Sequence, residues 1–161
     1  MQDTVEIIEY KDINNRFSNE AIHDFINQSM HKFIGKKLKL REDCYYIEEH
    51  YLQNGGNFWI AVDKNEIIGT IGLENRGKVG ILRRLYIDEN YQNLGIGSML
   101  YKALENYAIR KTNIKTLYLT CGKVLENAHK FYAKHGFKQI DNLEIELNVK
   151  EHEDLLKKDI I

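Results

Sequence analysis

Apolar and polar residues alternate with two different periods along the first half of the chain, and these periods predict strands and helices in turn. Residues 4–10 are rich in β-branched and apolar side chains, which is typical of a strand. Apolar residues then recur three and four apart over residues 18–35 and again over 42–54, which predicts two helices. The pattern next predicts three consecutive antiparallel strands, at residues 58–62, 67–73 and 79–87.

The second half of the chain predicts further helices and strands. Helical spacing of apolar residues covers 100–111 and 125–135, and a strand-like run at 115–120 lies between them. Because a strand–helix–strand unit joins parallel strands, residues 79–87 and 115–120 should form a parallel pair. Two last strands are expected at 137–140 and 143–149. The tail, residues 150–161, alternates charged residues and leucines and suits a short helix. These elements predict an α/β fold of the α+β type, a mixed, mostly antiparallel sheet of about seven strands flanked by helices.

Two glycines stand where the third of the antiparallel strands turns into the next helix, in Tyr91-Gln92-Asn93-Leu94-Gly95-Ile96-Gly97-Ser98. Backbone N–H groups in the first turn of a helix have no partner within the helix and carry the positive end of its dipole. Glycines allow a phosphate to approach such a backbone closely, because they have no Cβ. The loop is therefore a candidate pyrophosphate site. A Walker A loop is excluded because Lys does not follow Gly97, and a dinucleotide fingerprint because Leu100 replaces its third glycine.

Composition limits the partners and the compartment. The 161 residues suit one domain with its own core, and 43% hydrophobic and 29% charged residues are typical of a globular protein. A net charge of −1 gives no general attraction to nucleic acid or to an anionic membrane. Neither a membrane-length apolar run nor a signal-peptide pattern is present, and Cys44 and Cys121 form no CxxC pair. We therefore expect a cytoplasmic protein.

A second motif lies about forty residues after the glycine loop. It reads Ala128-His129-Lys130-Phe131-Tyr132-Ala133-Lys134-His135-Gly136-Phe137. This segment resembles the signature Ala-x-x-Leu/Phe-Tyr-x-x-x-Gly-Phe of the GNAT superfamily of N-acetyltransferases. Gln92-x-x-Gly95-x-Gly97 is similar to the Arg/Gln-x-x-Gly-x-Gly/Ala acetyl-CoA loop of the same superfamily. The resemblance covers roughly residues 58–149.

The resemblance implies a function and a set of site residues. It implies a GNAT-like sheet with a splayed parallel pair, and transfer of an acetyl group from acetyl-CoA, the co-substrate, to a primary amine by direct attack in a ternary complex, without a metal. Tyr132 would be the general acid that protonates the departing sulfur. The residues expected to hold acetyl-CoA are the strand residues Leu85, Tyr86 and Ile87, the loop residues Gln92, Asn93, Leu94, Gly95, Ile96, Gly97 and Ser98, and Asn127 and Tyr132 of the last helix. The whole chain, 1–161, would be one such domain, with acceptor-side helices at 1–56, an acetyl-CoA-binding core at 57–149 and a tail at 150–161.

Two positions depart from the family pattern. Many members have an asparagine seven residues before the tyrosine, where this chain has Leu125. Asn127 is close by but lies about 200° further round the helix, so a polar contact to the pantetheine arm is either missing or remade. Gln92 stands where arginine is commoner, and its amide is a donor without charge, so phosphate binding would depend more on backbone N–H groups.

The general base and the acceptor are the least determined parts of the site. The strand 79–87 has no carboxylate, and Glu74 at the end of the preceding strand is a weak candidate base. Proton loss from the amine through ordered water is the preferred alternative. Arg83 and Arg84 are adjacent on a strand and should face opposite sides of the sheet, so that only one could reach the substrate cleft. There it would suit an acidic group on the acceptor, or it would simply cover the sheet.

Other functions remain to be weighed against acetyl transfer. A catalytically silent GNAT-fold regulator or scaffold that binds acyl-CoA is the first alternative, because one family asparagine is absent and no base is assigned. A nucleic-acid-directed protein is disfavoured by the near-neutral charge. Zinc sites and nucleophile-triad hydrolases are not indicated, because the six histidines have no ligand spacing and no Gly-x-Ser-x-Gly occurs. The acceptor amine, a small molecule, amino acid or peptide, is left open, as are the acyl chain preference and the oligomeric state, a homodimer included.

Overall fold

The computed structural model describes residues 4–34 and 40–161 of the chain, and for residues 31–34 it describes the backbone alone. Its centre is a mixed seven-stranded sheet in the order β1-β2-β3-β4-β5-β7-β6. Neighbouring strands are antiparallel except β4 and β5, which are parallel. This sheet confirms the predicted fold class. The strands are β1 (Glu6–Glu9), β2 (Asn57–Asp63), β3 (Glu66–Asn75), β4 (Val79–Ile87), β5 (Thr116–Gly122), β6 (Lys138–Ile140) and β7 (Glu153–Asp159).

Helices cover both faces of the sheet. They are α1 (Asn19–Ile34), α2 (Glu42–Tyr45), α3 (Ile96–Lys111) and α4 (Glu126–Lys134), with a π-helical turn at Glu48–Leu52 and 3-10 turns at Tyr10–Asp12 and Glu89–Tyr91. The apolar sides of α3 and α4 form one core with the sheet, and those of α1 and α2 form a second core on the opposite face. The Ser18 hydroxyl accepts a hydrogen bond from the Ala21 N–H at 3.0 Å, as expected of an N-cap. The expected end of α1 near Gly35 lies outside the described residues.

The helix predicted over residues 42–54 is interrupted. Tyr46 leaves the helical region with φ −95° and ψ 61°, which separates α2 from the π-helical turn. The break brings Tyr51 back toward α2, where its hydroxyl donates to Asp43 Oδ2 at 2.8 Å. An unbroken helix would hold these two residues about 12 Å apart along its axis.

The predictions of a strand at 143–149 and of a helical tail are both wrong. Residues 143–149 form no strand; the side chains of Ile145, Leu147 and Val149 pack instead on a small core under the sheet. The tail supplies β7, which pairs with β5 along its whole length and with β6 on its other side. Leu155 and Leu156 bury their side chains on opposite faces of the sheet, which two adjacent leucines can do only in a strand. Within the described residues, no helix is long and apolar enough to cross a membrane.

Candidate functional site

The parallel strands β4 and β5 separate after three residue pairs. They are paired at Val79–Thr116, Gly80–Leu117 and Ile81–Tyr118, and at no later described position. From residue 82 onward, the edge of β4 that faces β5 therefore has no strand partner among the described residues. The two strands are therefore the predicted splayed pair. The backbone groups of β4 that border the gap are available to a ligand with amide groups of its own.

A β-bulge in β4 shapes one side of this gap. Gly72 pairs with Arg83 and Thr70 with Tyr86, so Ile71 faces two residues of β4 instead of one. Arg84 takes a φ of +58°, in the left-handed region, and the Thr70 hydroxyl donates to its carbonyl oxygen at 2.8 Å. A bulge adds one residue to a strand and so shifts the alternation of side chains beyond it.

Because of the bulge, the expectation that Arg83 and Arg84 face opposite sides of the sheet is wrong. The Arg84 guanidinium reaches Asp43 of α2. Arg83 pairs with Gly72, where a Cβ would meet Tyr51 and Phe58 of the α1/α2 core, so both arginines lie on the α1/α2 face. Leu85 packs in the α3/α4 core on the opposite face. Without the left-handed residue, Arg84 would occupy the side that Leu85 takes.

The glycine loop ends in an open helix N-terminus. Gly95 is the N-cap of α3 with φ +84°, no side chain caps the helix, and its first turn has no acidic residue. Asn93 is also left-handed, with φ +64°. The first N–H groups of α3 are thus unpaired within the helix and at the positive end of its dipole, which favours an anion.

Three residues of the loop have contacts that the sequence did not indicate. A Cβ at Gly97 would lie 3.2 Å from Phe131 Cε1, so the missing side chain makes room for α4. Gln92 Nε2 donates to the Ile87 carbonyl oxygen at 3.2 Å and holds the loop to the end of β4. Ser98 Oγ lies 2.9 Å from His135 Nε2.

His135 belongs to this site, although its spacing in the sequence indicates only a place on an apolar helix face. Burial and the charges of Lys134, Lys158 and Lys102 lower the pKa of His135, while Glu105 acts in the opposite sense. Its ring also contacts the rings of Tyr101 and Phe131. A neutral imidazole can therefore hold the Ser98 hydroxyl in place beside the first turn of α3. Its position immediately before Gly136 is the signal available in the sequence.

Tyr132 lies beside the gap between β4 and β5. The residue is 9% exposed, and burial raises the pKa of its hydroxyl, as do Cys121 of β5 and Tyr86 of β4. Tyr132 belongs to the same core as Cys121 of β5 and Leu85 and Ile87 of β4, which places it near both strands that border the gap. No described residue hydrogen-bonds to it. A raised pKa keeps the hydroxyl protonated at neutral pH, so Tyr132 can donate a proton or a hydrogen bond.

Other candidate residues are less directly placed. Leu85, Tyr86 and Ile87 line the open edge of β4 after the bulge. Asn127 is exposed in the first turn of α4, with no side-chain hydrogen bond to a described residue. Leu125 covers Gly122 at the end of β5, with its Cγ 3.3 Å from the position that a Cβ of residue 122 would take.

The candidate base Glu74 is held by two arginines. Arg83 Nε donates to its Oε1 at 2.8 Å and Arg76 Nε to its Oε2 at 2.5 Å. Burial acts to raise the pKa of Glu74, but these hydrogen bonds and the two charges leave it below its usual value. A carboxylate with both oxygens occupied and a lowered pKa is a poor proton acceptor, which disfavours Glu74 as the base. Within the described ranges, no group of three or more His, Cys, Asp or Glu residues is arranged to hold a metal ion.

Comparison with known proteins agrees with this geometry. The model of the Acetyltransferase (GNAT) family matches residues 19–137. The N-acetylaspartate synthetase of Xenopus tropicalis is 30% identical over 108 residues, which are 65% of this chain and 40% of the relative. The chain therefore spans less than half of that relative's length.

Solved structures share the fold over nearly the whole chain. A GNAT-family acetyltransferase from Staphylococcus aureus Mu50 superposes with a TM-score of 0.84 at 26% identity, covering 98% of this chain and 99% of the other. The PaiA N-acetyltransferase of Thermoplasma acidophilum, solved in complex with coenzyme A, has a TM-score of 0.73 at 21% identity, covering 96% and 98%.

Proposed function

The chain belongs to the acetyltransferase (GNAT) family, an acyltransferase class, and from that membership we propose that it transfers the acetyl group of acetyl-CoA to a primary amine. The acceptor would be a small molecule, an amino acid or a peptide, whose amine attacks the thioester directly in a ternary complex. The name of the similar N-acetylaspartate synthetase supports an amino acid among these classes. The coenzyme A held by the similar PaiA structure supports acetyl-CoA as the donor.

The observation that carries this proposal is the position of Tyr132. The hydroxyl of this largely buried residue is protonated, has no described hydrogen-bond partner and lies beside the gap between the two splayed strands. No buried side-chain nitrogen or oxygen of the described residues lacks a hydrogen-bond partner, so this hydroxyl is open to solvent and free to donate to a ligand. A thioester sulfur lying in the gap would accept that hydrogen bond, and Tyr132 would then protonate the thiolate as it departs.

The binding residues follow from the same geometry. The open edge of β4 at Leu85, Tyr86 and Ile87 would pair with the amides of the pantetheine arm, and an N–H there would stabilise the oxygen that gains charge during attack. The pyrophosphate would lie on the loop from Gln92 to Ser98, bound mainly by backbone N–H groups of the α3 N-terminus. Ser98, positioned by His135, would add a hydroxyl donor. Asn127 remains a weaker candidate.

The amine must lose a proton before it attacks, because its unshared electron pair forms the new bond. An ordinary lysine-type amine has a pKa of about 10.4 and an α-amine of about 7.8, so an α-amine is partly neutral at physiological pH. Since Glu74 is held by two guanidinium groups, we propose that ordered water carries the proton to solvent.

To test this proposal, the protein is mixed with acetyl-CoA and a panel of amines. The released thiol and the mass of the acetylated product are then measured. Release of thiol and formation of acetylated product in equal amounts would support the enzymatic function. The alternative is a regulator that binds acyl-CoA without catalysis, and the engaged state of Glu74 is the observation in its favour. It predicts acetyl-CoA binding by calorimetry without thiol release from any amine.

Several broader expectations stay proposals. We propose a cytoplasmic location, supported by two buried free cysteines, Cys44 and Cys121. Neither nucleic acid nor a membrane is proposed as a partner, and a homodimer is left to measurement. The division into acceptor-side helices (1–56), a core (57–149) and a tail (150–161) also stays a prediction, although the sheet includes β7 from that tail.

A further inference from the structure

Three charged residues beside the β4 bulge, Glu74, Arg76 and Arg83, form a cluster whose charges do not cancel. The guanidinium groups of Arg76 and Arg83 share the single carboxylate of Glu74, each through its Nε. Arg84 is not part of this group, because its charge is matched by Asp43. The cluster of Glu74, Arg76 and Arg83 therefore has one uncompensated positive charge.

Arg83 is the member of the cluster whose terminal nitrogens are free. Arg76 also donates through Nη1 to the Glu146 carbonyl oxygen, and Arg84 uses all three of its guanidinium nitrogens. Arg83 uses only Nε, so its Nη1 and Nη2 have no hydrogen-bond partner among the described residues. Its side chain is 37% exposed. Glu74 thus fixes the orientation of a guanidinium whose two outer nitrogens remain open to a ligand.

The position of Arg83 is that expected of an acceptor-binding residue. Through its pairing with Gly72 it lies on the α1/α2 face of the sheet, between the core under α1 and α2 and the small core covered by residues 145–149, to which Ile81 belongs. It stands two residues before Leu85, so its Cα is within about 7 Å of the backbone that lines the gap. Helices cover both faces of the sheet, but the Arg83 side chain is 37% exposed, so its guanidinium can be reached by a second substrate on the α1/α2 face.

From this geometry we infer that the acceptor amine also carries a carboxylate, and that Arg83 binds it through Nη1 and Nη2. The inference rests on the proposed function, because it names the substrate class of the same site. A guanidinium fork matches the two oxygens of a carboxylate, and a charge-assisted pair of this kind is among the stronger hydrogen-bonding arrangements. Loss of the pair should weaken acceptor binding on the order of tenfold to a hundredfold.

The experiment compares an amino acid with its own primary amide as acceptors. Removing the acceptor's carboxylate also lowers the pKa of the amine, so rates are expressed per concentration of neutral amine. The variants are Arg83→Gln and Arg83→Lys, and Arg16→Gln serves as the matched control. Arg16 has a side chain 38% exposed and one carboxylate partner, Glu6, but it lies beside the edge strand β1.

We expect the wild-type protein to prefer the amino acid by at least about tenfold in kcat/KM. Arg83→Gln should abolish that preference by raising KM for the amino acid alone, Arg83→Lys should keep part of it, and Arg16→Gln should leave it unchanged. Acetyl transfer with no preference for the carboxylate, or with a preference that survives in Arg83→Gln, would overturn the inference while the proposed function stands.

A calorimetric titration of the coenzyme A-loaded protein with the same two amines separates the two hypotheses. If no amine is acetylated, the proposed function fails, and binding alone then decides the inference. Tighter binding of the amino acid than of the amide, lost in Arg83→Gln and kept in Arg16→Gln, would support it. Equal binding of both compounds, or binding of neither, would overturn it.

Discussion

Arg84 and Asp43 form a two-point ion pair that ties the bulge of β4 to α2. Arg84 Nε lies 2.9 Å from Asp43 Oδ2, and Nη2 lies 2.8 Å from Oδ1. The Tyr51 hydroxyl donates to the same Oδ2 at 2.8 Å. A parallel arrangement of this kind fixes direction as well as distance. The pair therefore holds a left-handed residue in the strand that borders the gap, and it occupies the arginine that would otherwise compete with Arg83 for an anionic group.

The first prediction concerns the pH dependence of stability. Burial would raise the pKa of Asp43, but the hydrogen bonds and charges of Arg84, with Tyr51 and Arg83, lower it from 3.8 to about 2. A group with a lowered pKa in the folded state stabilises the protein above the unfolded pKa and loses that contribution as pH falls through the folded one. We expect roughly 2 kcal/mol of unfolding free energy to be lost between about pH 4 and pH 2 on this account.

Urea unfolding at a series of pH values measures this loss. Asp43→Asn cannot be protonated, so its unfolding free energy should be lower than that of the wild type at neutral pH and should fall less between pH 4 and pH 2. An equally steep fall in the variant would show that other carboxylates cause the acid destabilisation.

The second prediction concerns the left-handed cap of the glycine loop. Gly95→Ala places a Cβ on a backbone with φ +84°, which costs about 1 kcal/mol and shifts the loop that would hold the pyrophosphate. Coenzyme A binding, measured by calorimetry, should weaken by at least about tenfold. Gly77→Ala is the matched control, because Gly77 has φ +91° and open space around it but lies in the β3–β4 turn. Equal affinities in the two variants would argue against the loop as the binding site.

The third prediction assigns Tyr132 as the general acid. Tyr132→Phe removes only the hydroxyl, and the ring contacts with Phe131 and Phe137 can remain. Acetyl-CoA binding should be kept while kcat falls on the order of a hundredfold or more, the usual loss for a general acid. Tyr107→Phe, which removes a hydroxyl that contacts the Gly55 and Gly56 carbonyls far from the gap, should keep its kcat. A single-turnover measurement is needed, and an unchanged chemical step would exclude the role.

The fourth prediction distinguishes two roles for Glu74. If ordered water removes the amine proton, Glu74→Gln should change kcat by far less than the roughly hundredfold typical of a lost general base. The rise of the rate with pH should then follow the pKa of each acceptor amine. If Glu74 orients Arg83, the same variant should raise KM for carboxylate acceptors and leave amide acceptors unchanged. A depressed or flattened basic limb of the kcat/KM profile would restore Glu74 as the base.

Local pattern is sufficient for much of the fold and for the outline of the site. The bounds of β4 and the C-terminal end of α3 follow from the change between alternating and helical spacing, because each period reflects one face turned toward a core. The helix itself begins at Ile96, before the helical spacing predicted over residues 100–111. The loop at Gly95 and the helix carrying Tyr132 are short motifs whose chemistry depends on neighbouring residues. For that reason the amino-acid sequence alone indicates both the family and the mixed sheet.

Other features of the protein were decided only by the tertiary structure, because they depend on contacts between distant segments. Leu155 and Leu156 form a strand and not a helix because β5 and β6 leave a place between them that buries both faces. Arg84 turns toward α2 because a positive φ, supported by Asp43 and Thr70, shifts the alternation of β4. Neither the sign of a dihedral angle nor the pairing partner of a strand is encoded in periodicity, since both are selected by the free energy of packing across the whole sheet.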